Sequence, residues 1–339
     1  MSSQANQISI KSMVRRATLK DTDKLNILTF CTHERYEQNL CKTGHNFFSI
    51  KNGKRWNTDY GMIPDNYEEI DIIPWHLQID LILSHTSCER LQFAKNLQSV
   101  YNIPVLRHTH ILPDVRYNPS QERAMFNSYP VDHDSFISEY NLKAWEKQKG
   151  PNVGFIEHGI DHEFWQSGQE FDRENVLLSV VNEWPDRDWC CGWHLWNDII
   201  KGGEKLLPTK VLGSSPGFSK PAESIEDLRD AYKKSSIFLN TSLHSPVPTV
   251  LMEAMACGCA IVSTNNCMIP EIIQHGKNGL LADTADELRA SCQYLLDNPS
   301  KARELGENAK NTIQDKYNLN RFVKSWNDLF FKVIRNYKK

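Results

Sequence analysis

Between Asn240 and Thr264 the chain reads NTSLHSPVPTVLMEAMACGCAIVST. The stretch holds one carboxylate, Glu253, in an apolar run, with Ser245 eight residues before it and two prolines between. It reads as strand end, turn, helix, strand. In open parallel sheets ligands bind beyond the carboxyl ends of the strands, which puts the loop from Thr241 to Val247 at such an edge. Pro248 suits the first turn of a helix, where its missing N–H costs nothing. The amides around Val247, Thr249 and Val250 would then face the edge, and a helix start favours an anion. Glu253 shares a side with Thr249, beside the stripe Val250, Leu251, Ala254 and Met255. Helical side chains lean toward the N-terminus, so its carboxylate reaches back to the same edge. Amides that take a diphosphate and an acceptor-only carboxylate that takes two ribose hydroxyls suit a nucleotide. The plainer alternative, Glu253 paired with a lysine or facing solvent, stays open on geometry alone.

Other chemistry-bearing residues are less telling. The histidine pairs in HTH (His108, His110) and HGIDH (His158, His162) have no obvious acidic or cysteine partner nearby. CC at Cys190–Cys191 and CGC at Cys257–Cys259 lack a matching second pair at zinc spacing, so no metal site is expected. Nine cysteines, an odd number irregularly spread, read as reduced thiols of a cytosolic protein. GxGxxG and GxxxxGK[ST] are both absent, against a nicotinamide dehydrogenase or a P-loop nucleotidase.

The elements that must position the central stretch alternate from about residue 24 onward. KLNILTFC, HNFFSI, IDLILS, IPVLRHT, SFISEY and VGFIEHGI read as strands, with helices such as ERYEQNLCKTG and CERLQFAKNLQSVYN between them. A second run follows the polar QSGQEFDREN: VLLSVVN, TKVLGSS, IFLNTS and AIVST as strands, WHLWNDIIKG, SIEDLRDAYKKS and ADELRASCQYLLDN as helices. Short apolar strands alternating with helices mean parallel sheets covered on both faces. The expected fold is α/β, two doubly wound Rossmann-like domains facing a cleft. The expected boundaries are a flexible leader over 1–24, a first domain over 25–168, a second over 169–314, and a terminal helix over 315–339. That helix carries Phe322, Trp326, Leu329, Phe330 and Val333 on one stripe and needs a large apolar surface to cover.

At 339 residues, 40% hydrophobic and 24% charged, the chain has the composition of a globular protein. Its 39 basic and 42 acidic residues give a net charge of −3, which argues against a protein whose main task is coating nucleic acid. The start is polar and basic, unlike a signal peptide, and no run approaches the roughly 18 apolar residues of a spanning helix.

The stretch SPVPTVLMEAMACGCAIVST…MIPEII…HGKNGLLADTADEL, extending through QYLLDNPSKARELGENAKNTI, resembles the nucleotide-binding half of retaining glycosyltransferases of family 4 (group 1), which have the B-type fold. Fainter echoes are RHTHILP, FISEYN and NVGFIEHGIDHEFW. The resemblance implies transfer of a sugar from a nucleoside-diphosphate sugar to an acceptor hydroxyl with retention, without a metal or cofactor. It also implies that helix amides and basic side chains stabilise charge on the leaving diphosphate. On it, Glu253 is the ribose ligand, and the terminal helix crosses back over the first domain.

Departures from the family pattern matter. Its first glutamate falls at Ser245, so a charged contact near the donor sugar is missing. The glycine pair usual before PE is Cys267–Met268, and Glu271 caps its helix. After SVVN the usual Arg and Lys are replaced by EWPDRDWCCGWH. Arg187 is expected on the diphosphate, unless it pairs with Asp186 or Asp188, and Asn182 is a weaker donor contact. In the first domain, Thr32 and His33 stand on the acceptor side and His110 near the donor sugar. Asp161 matches a structural turn, and the Trp-rich DWCCGWHLW is expected to pack between domains.

The reading is therefore a metal-independent, retaining glycosyltransferase (hexosyl or related transfer), cytoplasmic, with peripheral membrane contact left open. Its partners are a nucleotide-sugar donor and an unidentified acceptor: glycan, lipid-linked sugar, protein or modified nucleic acid. The alternatives are a catalytically impaired binding scaffold, motivated by Ser245, and a sugar-nucleotide epimerase.

Overall fold

The computed structural model describes residues 3–50, 55–58, 61–85 and 88–337. The chain forms two compact units, Met1–His158 with Asn320–Lys339, and Gly159–Leu319.

The first unit is built on β1 (Asn26–Thr29), β2 (Asn46–Ile50), β3 (Tyr67–Ile70), β4 (Leu81–His85), β5 (Val105–Thr109), β6 (His133–Phe136) and β7 (Val153–Phe155). They form one sheet in the order β3-β2-β1-β4-β5-β6-β7, every adjacent pair parallel. β4 and β5 are buried at every position, as strands covered on both faces must be. The strand order reverses between β1 and β4, so the loops after these two strands part and open a crevice at the sheet's carboxyl edge. β3 lies in a passage that reads as loop in the sequence. The expected strand SFISEY divides: β6 ends at Phe136, and Ser138 accepts the Asn141 N–H on its side chain to start the helix Glu139–Ala144.

Two boundaries differ from the expectation. Residues 3–18 are not a flexible leader but a helix, Ser3–Thr18; residues 1 and 2 lie outside the described residues. Ile8 packs on the cluster containing Leu28, Ile79, Ala94 and Val105. Arg15 bonds both Asp23 (2.9 Å) and the buried Asp80 (3.2 Å), and Arg16 donates to the Asn102 carbonyl. A buried carboxylate without a cation is costly, so Asp80 orders the segment. The second unit, in turn, begins at Gly159 rather than at 169. The Ile160 N–H donates to Tyr317 O, and the Trp165 carbonyl accepts the Cys257 thiol, so residues 159–168 are tied into it. The terminal helix Leu319–Asn336 belongs to the first unit from residue 320, with Phe322, Trp326, Leu329, Phe330 and Val333 buried on it.

The second unit contains β8 (Glu174–Val180), β9 (Thr209–Leu212), β10 (Ser235–Asn240), β11 (Ala260–Thr264) and β12 (Leu280–Ala282) in the parallel order β12-β11-β10-β8-β9. Here the switch lies between β8 and β10. Its core joins Leu177, Ile237, Leu239 and Val262 of the sheet to Leu288, Leu295 and Leu305 of the covering helices. Trp184, Trp193, Trp196 and Phe218 pack together within this unit, Trp193 meeting Phe218 edge-on at 4.4 Å. The tryptophans therefore build a core inside one unit rather than the expected packing between domains. Gly306 lets the helix Pro299–Lys316 approach the end of the helix Thr249–Ala256: a Cβ there would meet Gly258 O at 2.2 Å.

Candidate functional site

The strand β10 runs straight into the loop that precedes the helix Thr249–Ala256. The loop's first half is pinned by polar groups. Asn240 donates to Ser263 Oγ (2.8 Å) and its carbonyl oxygen accepts from the Ser242 hydroxyl (2.9 Å). The Ser242 carbonyl accepts from Thr264 Oγ1 (2.6 Å) and Asn266 Nδ2 (3.0 Å). From the other side of the switch, Cys190 O accepts the amides of Leu243 and His244, and Cys191 O accepts Thr241 Oγ1. Gly192, at φ +66°, makes room for this approach, since a Cβ would meet Thr241 O at 2.2 Å.

The helix start is differently furnished. Pro248 sits at the N-cap position in extended conformation and supplies no side-chain cap. The first amides of a helix have no intrahelical partner; here the Leu251 N–H turns back to Pro248 O (3.1 Å), and those of Thr249 and Val250 have no side-chain cap. Ser245, Pro248, Thr249 and Val250 are partly exposed, while Val247 is buried. The helix tip is thus reachable, with the positive end of the backbone dipole at it.

Glu253 lies one turn in and is buried, 3% exposed. Its Oε2 accepts the Tyr232 hydroxyl at 3.1 Å. A carboxylate offers about four lone-pair directions, so this bond leaves acceptor capacity. The charge is felt at Cys257, whose thiol is pushed well up, first by burial and then by Cys259 and Glu253.

Across the switch, Asn182 and Arg187 follow β8. Asn182 Oδ1 accepts the Ser214 N–H (2.8 Å), so it braces the turn after β9. Arg187 is exposed; Asp188 pairs instead with His194 (2.8 Å), and Arg187 makes no ion pair among the described residues. Asp161 caps the helix His162–Gln166 by accepting the Phe164 N–H. Cys267 takes φ +50°, a left-handed conformation that favours glycine. Glu271 is exposed, in the first turn of the helix Ile269–Ile272.

Ser245, Val247, Pro248, Thr249, Val250 and Glu253 therefore form one strand–loop–helix, with Asn182 and Arg187 on the adjoining edge. Thr32, His33 and His110 belong to the first unit. His33 is exposed at the N-cap position of the helix Glu34–Cys41, and Thr32 Oγ1 lies 3.4 Å from Glu37 Oε1. His110 is half-buried and its Nε2 lies 2.8 Å from His85 Nδ1. The sequence reading missed Glu37, His85 and Tyr36, which surround the histidines. The one available signal was the alternation in HTH, which turns His108 and His110 to the same face.

Two doubly wound, all-parallel units of this kind are the B-type fold of glycosyltransferases. The structure of Anabaena HepE in complex with UDP matches 91% of this chain and 99% of that one, with a TM-score of 0.71 at 14% identity. Sucrose-phosphate synthase from Thermosynechococcus elongatus matches 91% and 98%, also with a TM-score of 0.71, at 15% identity. Residues 220–312, which contain the helix tip and Glu253, match the family described as Glycosyl transferases group 1. N-acetyl-alpha-D-glucosaminyl L-malate synthase of Bacillus anthracis is 29% identical over 115 residues, 33% of this chain and 30% of the relative. The aligned stretch thus spans about a third of that relative's length. No helix among the described residues is long and apolar enough to cross a membrane.

Proposed function

We propose that the protein is a retaining glycosyltransferase that moves a sugar from a nucleoside-diphosphate donor to an acceptor hydroxyl without a metal ion. The observation that carries this reading is the reachable, side-chain-uncapped tip of Thr249–Ala256 with a buried carboxylate one turn behind it, inside the segment that matches group 1 glycosyltransferases. In this reading the Thr249 and Val250 amides hold the diphosphate and Glu253 accepts the ribose hydroxyls. Arg187, exposed and with no ion pair among the described residues, neutralises charge that grows on the leaving group. The Asn182 side chain keeps the turn beside it in place. Because HepE is seen with UDP and with UDP-glucose, UDP is the first nucleotide to try.

Calorimetric titration with UDP, GDP and ADP tests the reading. One of them should bind, and the matching sugar nucleotide should be hydrolysed slowly in the absence of acceptor. No binding of any of the three would overturn it. Ser245 supports a second reading, a binding scaffold with impaired catalysis, because a hydroxyl stands where the resemblance implies a glutamate. A wild type that binds nucleotide but is inert, and a Ser245→Glu variant that gains no turnover, would favour the scaffold.

A further inference from the structure

The crevice at the carboxyl edge of the first sheet, where the order turns between β1 and β4, is lined by polar rings. His85 ends β4, His108 lies near the end of β5, His110 follows it, and His158 follows β7. Glu37 and Tyr36 enter from the helix after β1. Tyr36 lies 4.4 Å from His110 and 5.4 Å from His158, centroid to centroid.

One set of bonds fixes its own proton positions. Trp326 Nε1 can only donate, and it lies 3.2 Å from the Tyr36 oxygen. The Tyr36 hydroxyl then donates to His108 Nε2 (2.8 Å), leaving the His108 proton on Nδ1, 3.1 Å from Ser135 Oγ. Burial keeps this assignment: it raises Tyr36 far above an ordinary tyrosine and lowers His108 well below an ordinary histidine.

A second set runs from Glu37 through His85 to His110. Glu37 is fully buried, its Oε1 lies 3.1 Å from His85 Nε2, and its Oε2 has no hydrogen bond among the described residues. A carboxylate can only accept, so His85 turns an N–H toward it. A neutral His85 then has a bare Nδ1, and the proton shared with His110 Nε2, 2.8 Å away, must come from His110. Burial first, then His108 and His85, hold His110 well below the ordinary histidine range, so it carries one proton. Its Nδ1 has no hydrogen bond among the described residues, and the ring is half-buried rather than sealed.

We propose that Glu37 and His85 are positioning residues that hold His110 as its Nε2–H tautomer, so that His110 Nδ1 presents a lone pair to a hydroxyl of the sugar substrate. Only the identity of that hydroxyl rests on the transferase reading; the relay stands on the first unit alone. It explains why a glutamate is kept fully buried beside a histidine at a strand end. A charged His85 would donate from both nitrogens and reverse the His110 tautomer.

Histidine-labelled full-length protein read by long-range proton–nitrogen correlation tests the relay, with His110 assigned by His110→Gln. The expected spectrum shows His110 Nδ1 as the unprotonated nitrogen. Glu37→Gln, whose amide can donate, should convert at least about half of that signal to the other tautomer. Where activity is measured, its turnover of sugar nucleotide should fall roughly ten- to a hundredfold, as for other partners that orient a histidine, with nucleotide affinity within about threefold of wild type. If Glu37→Gln does not fold, His85→Gln carries the same test. A protonated His110 Nδ1 in the wild type, or a tautomer indifferent to both variants, overturns the proposal. Absence of nucleotide binding with the expected tautomer overturns the transferase reading and leaves the relay in place.

Discussion

Replacing Glu253 by glutamine probes the nucleotide site with little disturbance of the fold. The side chain is buried against Tyr232, and a glutamine oxygen can accept the same hydroxyl at the same place. Volume is conserved, so the melting temperature should move little. What changes is the strength of the bonds to ribose. A hydrogen bond to a charged group contributes about 1.5–3 kcal/mol and one between neutral groups about 0.5–1.5. The swap therefore loses about 1 kcal/mol per hydroxyl and about 2 kcal/mol for the pair. At about 1.4 kcal/mol per decade, UDP affinity should fall roughly thirtyfold. Inorganic pyrophosphate has no ribose and should bind Glu253→Gln and wild type alike. Calorimetry on both ligands with both proteins reads the contrast directly. UDP affinity within about threefold of wild type, or an equal loss for pyrophosphate, would refute the assignment of Glu253 to the ribose.

Three further outcomes are expected. Gly192→Ala forces a Cβ into Thr241 O at a left-handed position; it should destabilise the protein by at least about 1 kcal/mol and weaken UDP binding, and an unchanged melt and affinity would show that the pinned loop tolerates the shift. Tyr36→Phe strands Trp326 Nε1–H and His108 Nε2 in a buried setting, so urea denaturation should show a loss of about 1–3 kcal/mol in the first unit; no loss would mean that these groups find other partners. His45 and His133 are lowered to about 4 and His158 to about 3, chiefly by burial. Their folded values lie below the unfolded value near 6.5, so the unfolded chain binds more protons in between. Their stabilisation is complete above pH 6.5 and is lost as pH falls toward 4. Melting temperatures should decline from pH 6.5 to 5, before most carboxylates titrate, and a flat profile would contradict the burial of these rings as neutral groups.

How much was legible depended on distance along the chain. The strand–loop–helix from Ser235 to Ala256 is continuous, so the place of Ser245, Pro248 and Glu253 followed from periodicity and turn chemistry. The partner of Glu253 did not, because Tyr232 lies a helix and a strand earlier. The leader was misread because its polar composition gives no sign that Asp80, buried at the start of β4, needs a cation. The tryptophans of DWCCGWHLW were identifiable as packing residues, but not which surface they pack on.

Glu37, His85, His110, His158 and Trp326 come from distant parts of the chain, and no local pattern links them. A parallel sheet aligns strand ends whatever their separation in sequence, and the register that pairs His85 with His108 brings the ring cluster together. The order of residues alone determined the alternation of strands and helices and the uncapped helix tip, because both rest on neighbours a few positions apart. Which ring faces which carboxylate, and hence where each proton sits, was decided only when the folded sheet placed those strand ends a few ångströms apart.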